Sequence, residues 1–400
     1  MGYRFSRYQE ETQSLKSRGF GCICSKIPLG RARSLSQTGY LLKQLGIIII
    51  TYQSERYVGP LLASLAATVD PAQCEIWILD NASPDGTVAA LKREKRWSNL
   101  ALHLIYSDRN LGFVRGNNEV YARLQVETPC ENVVLLNPDT VVHKGWWQPL
   151  VEALKEPTVG SVTSLLLLPD GTVNSRGNAV HFLGLGFVQG YGEAAAEVPK
   201  HPELFFGSGA ALAFRRETLH VMNARLATSG IFWEELFLYA EDTDFGWRMR
   251  LAGLENRLIP ESRVTHDHQF WLKSADGSDD RMFYIERNRY LLLLANFKVA
   301  TLVLLLPWII SSEVALSLGL WKLYSHRPRL WWAVWKEARS PKFRERRRRL
   351  QAGRIVRDRE ILQAMTGSIR HGALPFGTMD RAIDAGLRWS HRFLCFVVGW

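Results

Sequence analysis

Cysteine is scarce in this sequence, with five in 400 residues: Cys22, Cys24, Cys74, Cys130 and Cys395. An odd count at scattered spacing argues against a disulfide framework and for a reducing compartment. Cys22 and Cys24 form a C-x-C pair, and no second pair completes the four ligands of a structural zinc site. The amino end lacks a long apolar region: residues 1–45 carry charges throughout. That argues against a secretory signal and for a basic, poorly ordered extension over residues 1–44. Acidic residues are outnumbered, 39 against 50 Lys and Arg, and the net charge is +11. Such an excess favours an anionic partner: nucleic acid, an acidic membrane surface or a phosphate-bearing substrate. Much of it is terminal, as in the run KFRERRRR from Lys342 to Arg349, so charge alone does not locate a site. Bulk disorder is not expected, because 46% of the residues are hydrophobic and 22% charged. The length suits one large domain with extensions, or two domains.

Gly46–Thr51, GIIIIT, is a β-branched run without polar alternation, the pattern of a strand buried on both faces. Tyr57, Leu61, Leu62, Leu65 and Val69 follow at helical spacing, and Pro71 ends that helix. Glu75–Leu79 predicts a second strand running into Asp80, then the turn DNASPDG and a helix from Thr87 to about Arg96. Leu100–Tyr106 predicts a third strand and Asn110–Gly116 a glycine-bearing loop that opens a helix. Asn132–Leu136 predicts a fourth strand, ending at Asn137-Pro138-Asp139. Strands alternating with helices at this spacing indicate parallel βαβ units. Their strand ends share one edge, where ligands bind in such sheets. Thr51, Tyr52, Asp80, Asn81, Asn110 and Asp139 fall on that rim. The second half is less regular: Ser161–Leu168 and Gly207–Phe214 read as strands, and Ser262–Thr265 is strand-like. Phe237–Asp242 leads into a helix whose N-cap suits Asp242 or Thr243.

Four groups of residues can carry chemistry. Asn137-Pro138-Asp139 can set a carboxylate on Mg²⁺ or Mn²⁺ bridging a diphosphate, or be an ordinary turn. Glu241-Asp242-Thr243-Asp244 puts three carboxylates at a helix start. That suits the helix dipole, and it equally suits a general base whose pKa a neighbouring acid raises. His266 and His268, in THDH, either include a metal ligand or are structural. Arg115, Arg248, Arg215 and Arg216 are candidates to hold phosphate, although most arginines are solvated.

In chain order, IIIITYQSERYV, WILDNASPDGT, RNLGFVRGNN, LLNPDT, GSGAALAFRR and YAEDTDFGWRMRLAG resemble the family 2 inverting glycosyltransferases, above all their rhamnosyltransferase-like members. The resemblance implies a GT-A fold, an α/β sandwich around a mostly parallel sheet, over residues 45–297. It implies that Thr51, Tyr52 and Glu55 line the base and ribose, and that Asp80 contacts the base with Asn81 and Ser83 beside it. Asn110, Gly112, Phe113 and Asn117 match the donor-binding loop. Gly207, Ser208 and Gly209 resemble the segment beneath the donor sugar and acceptor. Asp242 matches the catalytic base, with Glu241 just before it. Asp139 matches the last carboxylate of a DxD-type metal motif, and His266 the histidine that completes the metal site. The first acid of that motif is Asn137 here, whose amide can ligate but brings no charge. The implied cofactor is Mg²⁺ or Mn²⁺. The implied donor is a nucleotide diphosphate sugar, deoxythymidine-diphosphate rhamnose being favoured. The implied acceptor is a saccharide or lipid-linked hydroxyl in cell-surface polysaccharide synthesis, and nucleic acid is not among the expected partners.

Arg281–Phe297 resembles a helix that follows the core in such chains. Val299–Ser312 is uncharged and contains Pro307, Glu313 interrupts, and Val314–Trp321 is apolar again. A spanning helix needs about 20 apolar residues, and a central acid adds about 2.5–3.5 kcal/mol on insertion scales. The run therefore predicts an interfacial or re-entrant hairpin rather than a span. Trp308, Trp321, Trp331, Trp332 and Trp335, with Arg and Lys beyond, form the pattern of a membrane interface. The KFRERRRR run then faces anionic lipid, or is merely solvated. Residues 298–400 are expected to be a helical, basic region that places the protein on the cytoplasmic face of the cell membrane, peripheral or hairpin-anchored.

Two other readings compete. A sugar nucleotidyltransferase normally has a Gly-rich basic loop after its first strand, where this chain reads TYQSERY. A non-catalytic membrane- or nucleic-acid-binding protein on the same scaffold does not require Asp139, Asp242 and His266. Fold alone does not decide between them.

Overall fold

Side chains alternate across a strand, so an unbroken apolar run must be covered on both sides. The strand β1 (Lys43–Thr51) shows this: Ile48 and Ile50 enter one core, Ile47 and Ile49 the other. The structure, a computed structural model, describes residues 42–93, 97, 99–198, 202–267, 280–319, 327–369 and 378–399. Nearly all of the amino-terminal extension, with Cys22 and Cys24, lies outside the described residues, as do His268 and Trp321.

α1 (Glu55–Thr68), β2 (Cys74–Asp80), α2 (Thr87–Leu91), β3 (Leu102–Tyr106), α3 (Gly112–Glu127) and β4 (Cys130–Leu136) follow in the expected alternation. β1 pairs parallel with β2 and β4, and β2 with β3. The register sets Thr51 beside Asp80 and Asp80 beside Tyr106, so these strand ends are level. α2 is shorter than the sequence predicts, and residues 94–96 lie outside the described residues.

The second half comprises β5 (Thr140–Val142), α4 (Gln148–Ala153), β6 (Val159–Leu167), β7 (Val173–Ser175), β8 (Asn178–Val180), β9 (Gly186–Val188), β10 (Glu203–Leu204), β11 (Ala211–Arg215), α5 (Arg216–Leu226), α6 (Glu241–Leu251) and β12 (Glu255–His266). The sheet order is β10-β12-β6-β11-β4-β1-β2-β3. β11 is antiparallel to both β4 and β6, while β12 is parallel to β6. The sheet is therefore mixed: parallel pairing joins β1–β4 and also β6 with β12, and antiparallel β11 separates the two groups. The reason lies in where β11 starts. Ala211 pairs with Leu136 at the carboxyl end of β4, so the strand enters from the ligand-binding edge and must run backwards. Gly207–Ala210 forms the turn before it rather than the beginning of the strand.

Five helices close the described chain: α8 (Val299–Gly319), α9 (Arg327–Ala338), α10 (Pro341–Gly353), α11 (Asp358–Ala364) and α12 (Thr378–Val397), preceded by α7 (Asp280–Asn296). α9 and α10 pack on α7, and α10 also packs on α5. Among the described residues no helix is long and apolar enough to cross a membrane. The apolar run is one helix through Pro307 and Glu313, not a re-entrant hairpin. The basic run is divided. Arg346 and Arg347 turn inward to Asp244 and the Leu294 carbonyl, while Lys342, Arg344, Arg348 and Arg349 are exposed.

Candidate active site

The ends of β1 and β2 build the first part of the rim. Asp80 is buried, and both its oxygens are engaged: Oδ1 accepts from Thr51 Oγ1 (3.0 Å) and Ser83 Oγ (2.6 Å), Oδ2 from the Ser83 amide (3.0 Å). Asn81 ties this rim to the next loop, accepting from the Leu111 amide (2.8 Å) and donating to the Gly112 carbonyl (3.2 Å). Asn110 Oδ1 accepts from the Gly112 amide at 2.8 Å. Gly112 has φ +76°, and a Cβ there would meet the Phe237 ring at 3.3 Å, so glycine is needed twice over. Glu55 Oε2 accepts from the Gly86 amide (3.1 Å) and Asn117 Nδ2 donates to the Phe113 carbonyl (2.8 Å), so both brace the rim. Tyr52 remains exposed.

The second part comes from β4 and β12. β5 pairs antiparallel with the end of β12, His266 opposite Thr140, which brings Asp139 beside the imidazole. His266 Nε2 lies 3.3 Å from Asp139 Oδ1, and Nδ1 lies 3.3 Å from Asn174 Oδ1 on β7. Asn137 Oδ1 is buried and has no hydrogen-bond partner among the described residues. A carboxylate, an imidazole and a free amide carbonyl fit a divalent cation such as Mg²⁺ or Mn²⁺. Among the described residues no three His, Cys, Asp or Glu side chains gather as a metal site. The protein donors here are thus an incomplete shell that a diphosphate could complete.

Glu241 and Asp242 form the third part. The expected side-chain N-cap is not made: Ala240 occupies that position at φ 62°, with no side-chain capping bond. Instead Asp242 Oδ2 accepts from the Gly209 amide (3.4 Å) and Oδ1 from the Thr243 amide (2.7 Å). Loss of water at the cleft floor raises both carboxyls above their ordinary range, and for Glu241 the adjacent Asp242 charge adds to this. The approach to this pair is strained, with Phe237, Tyr239 and Ala240 all at positive φ. Asn288, fully buried on α7, holds that segment. Its Nδ2 lies 3.0, 2.9 and 2.8 Å from the carbonyls of Leu236, Leu238 and Tyr239. Arg287 Nη1 adds a bond to the Glu235 carbonyl at 3.0 Å and supports Asn288 Oδ1 at 2.8 Å.

Asn137, Ser208, Gly209, Glu241, Asp242 and His266 line one cavity of about 380 Å³, with Phe113 at its side. Asp80 and its partners stand on the neighbouring strand ends and do not line it. Gly207 is a packing residue, where a Cβ would come within 2.8 Å of Leu212. Three of the four arginines picked out as phosphate ligands are engaged elsewhere. Arg248 is buried against Asp244 (2.8 Å), Arg115 pairs with Glu234 (3.6 Å) and Arg215 with Glu217 (3.0 Å). Sequence reasoning missed Asn174, Asn288 and Arg289, of which Asn174 and Arg289 also line the cavity. The signal for the last two was present: an Arg-Asn-Arg triplet at 287–289 directly precedes the apolar run Tyr290–Ala295 of α7.

Glu241, Asp242, Asn137 and His266 thus share one cavity at the edge of a mixed α/β sheet. The family model described as "Glycosyl transferase family 2" matches residues 46–221. Over those residues the chain is similar to the family 2 glycosyltransferases, and its relatives include a rhamnosyltransferase. An N-acetylglucosaminyl-diphospho-decaprenol L-rhamnosyltransferase of Mycobacterium tuberculosis (strain ATCC 25618 / H37Rv) is 28% identical over 245 residues, 56% of this chain and 75% of its own. A pre-mycofactocin glycosyltransferase of the same strain is 25% identical over 197 residues, 48% of this chain and 38% of its own. The crystal structure of GalNAc-T7 with UDP, GalNAc and Mn²⁺ superposes with a TM-score of 0.50 at 14% identity. That match covers 64% of this chain and 49% of the other, so the chain spans about half of that structure; it shows a shared fold.

Proposed function

We propose that this glycosyltransferase moves rhamnose from deoxythymidine-diphosphate rhamnose to a hydroxyl of a saccharide or lipid-linked acceptor, with inversion at the anomeric carbon. The observation that carries the reading is the shared cavity of Asp242, Asn137 and His266. A base and a cation-binding edge that share one space of about 380 Å³ support transfer of a sugar there. The mycobacterial relative's name supports rhamnose as the sugar and a diphosphate-linked lipid saccharide as the acceptor class.

The chemistry is a single displacement. Asp242 takes the proton of the acceptor hydroxyl as that oxygen bonds to the anomeric carbon. The bond from that carbon to the diphosphate oxygen breaks on the opposite face, and its electron pair leaves with the diphosphate. Positioned general-base catalysis is worth about 10²–10⁴-fold. Burial raises the Asp242 pKa, which makes its carboxylate a better proton acceptor. Asp139, His266 and Asn137 would hold the divalent cation, which when bound compensates charge on the departing diphosphate. Thr51, Asp80 and Ser83 form the adjoining shelf for the base and ribose.

Thermal-shift screening against a panel of sugar nucleotides, with and without Mn²⁺, tests this reading. Deoxythymidine-diphosphate rhamnose with Mn²⁺ should give the largest shift. A panel in which another donor wins overturns the sugar, and a shift indifferent to Mn²⁺ overturns the metal assignment.

A further inference from the structure

The helix α8 (Val299–Gly319) contains one acid and no base. That acid, Glu313, does not face outward. Its Oε1 accepts from Tyr290 Oη and from Arg289 Nη2 (3.2 Å), both on α7. Thr301, bonded to Asp358 at 2.6 Å, and Leu305 are also buried on the inner side. The outer side is left entirely uncharged. Val299, Val303, Leu306, Ile310 and Val314 recur there at steps of three and four, each between 47% and 66% exposed. A helix facing only water normally carries charge on its outer face, and a continuous apolar stripe marks a contact surface.

We infer that this face of α8 rests on an anionic lipid surface, lying flat in the interface. Charge chooses this occupant over a second copy of the chain. The net charge is +11, and two copies would bring like charge together. Cations bracket the stripe: exposed Lys298 precedes the helix, and the sequence after it continues with Lys322 and Arg327. Nearby in sequence, exposed Trp332 and Trp335 on α9 each carry a cation over the ring, Lys336 at 4.9 Å and Arg339 at 4.3 Å. α12 repeats the theme, exposing Trp389, Phe393 and Phe396 on a helix that also exposes Arg381 and Arg392. Aromatic rings paired with Lys and Arg are the signature of helices seated at headgroup level. The inward tether of Thr301 and Glu313 keeps one side of α8 on the protein, which is why the helix lies along the surface rather than across it. The same Arg289 that holds Glu313 lines the cavity of Asp242, so the lipid-facing helix stands one ion pair from the site.

The test is co-sedimentation of the full chain with vesicles of phosphatidylcholine, with and without phosphatidylglycerol. It uses neither donor nor acceptor, so its outcome is independent of the proposed sugar chemistry. The chain should pellet with the anionic vesicles, less so as salt is raised. The double variant Val303→Asp with Ile310→Asp should bind at least about tenfold more weakly, because two side chains no longer enter the apolar layer. Both positions are exposed, and melting temperature checks the fold; if it falls, Val303→Ser with Ile310→Ser decides instead. Equal binding by variant and parent overturns the inference, as does failure of the parent to pellet. A parent that light scattering shows to be a dimer, split by the substitutions, overturns it in favour of self-association.

Discussion

Arg346 places its guanidinium 2.5 Å from the carboxylate of Asp244, 102 residues away in the sequence. Asp244 is wholly buried on α6, two residues past Asp242, and Arg248 holds its other oxygen at 2.8 Å. Burial alone would raise the Asp244 carboxyl, but the Arg346 and Arg248 charges outweigh it and hold the group below its ordinary range. Trp233 lies beneath Arg346, 4.2 Å from ring centre to guanidinium. α10 and α6, the helix that carries Glu241 and Asp242, are thereby joined by one buried charge network.

Removing one member of a buried pair leaves the other charge uncompensated, at a cost of about 3–5 kcal/mol. Arg346→Ala should therefore lose about 3 kcal/mol, the lower end because Arg248 remains. Arg348→Ala, on the exposed side of the same run, should change stability by no more than about 0.5 kcal/mol. Urea unfolding of the two variants measures the contrast.

Asn288→Ala removes the donor shared by three carbonyls in the strained approach to Glu241 and Asp242. Orphaned buried groups cost about 1–3 kcal/mol, and here the loss falls on the segment that aims the carboxylates. Turnover should fall while donor KM stays near the parent value, because Asn288 does not line the cavity. A change confined to KM would detach Asn288 from the positioning of Asp242.

The raised carboxyls set two pH effects of opposite benefit. Asp242 must be ionised to accept a proton, so activity should fall on acidification at a pH above the ordinary aspartate range. Stability runs the other way. A carboxyl whose pKa is raised on folding holds more protons in the folded chain, so stability declines as pH rises from its unfolded to its folded pKa. Glu241→Gln removes that term. Its melting temperature should exceed the parent's on the alkaline side, with the gain shrinking under acid; melting curves across pH read the difference.

Asn137 offers a gain-of-function test of the cation edge. Asn137→Asp adds a charge next to Asp139 and His266 and should tighten Mn²⁺ binding by titration calorimetry in the presence of nucleotide diphosphate. Asp139→Asn should weaken it. Equal affinity in all three proteins would place the cation elsewhere.

Much of this site was legible in the sequence, because local patterns dictated it. GIIIIT at 46–51 has the β-branched, non-alternating pattern of a strand covered on both faces, and polar residues after successive parallel strands share an edge. Asn137, Asp139, Asp242 and His266 were readable as candidates by residue type. What stayed hidden depends on contacts distant in sequence. The antiparallel entry of β11 follows from the long excursion before it, which no local period encodes. The basic run at 342–349 looked like a uniform charged face, yet Arg346 turns inward because Asp244 needs a partner. The positive φ values at Tyr239 and Ala240 run against propensity, in a segment whose carbonyls Asn288 holds from α7.

The most direct measurement is turnover and donor affinity of Asp242→Asn side by side. Turnover should drop about 10²–10⁴-fold while the donor dissociation constant stays within about twofold of the parent. A variant that binds donor far more weakly, yet turns over what it binds at the parent rate, would contradict the assignment of Asp242 as the base.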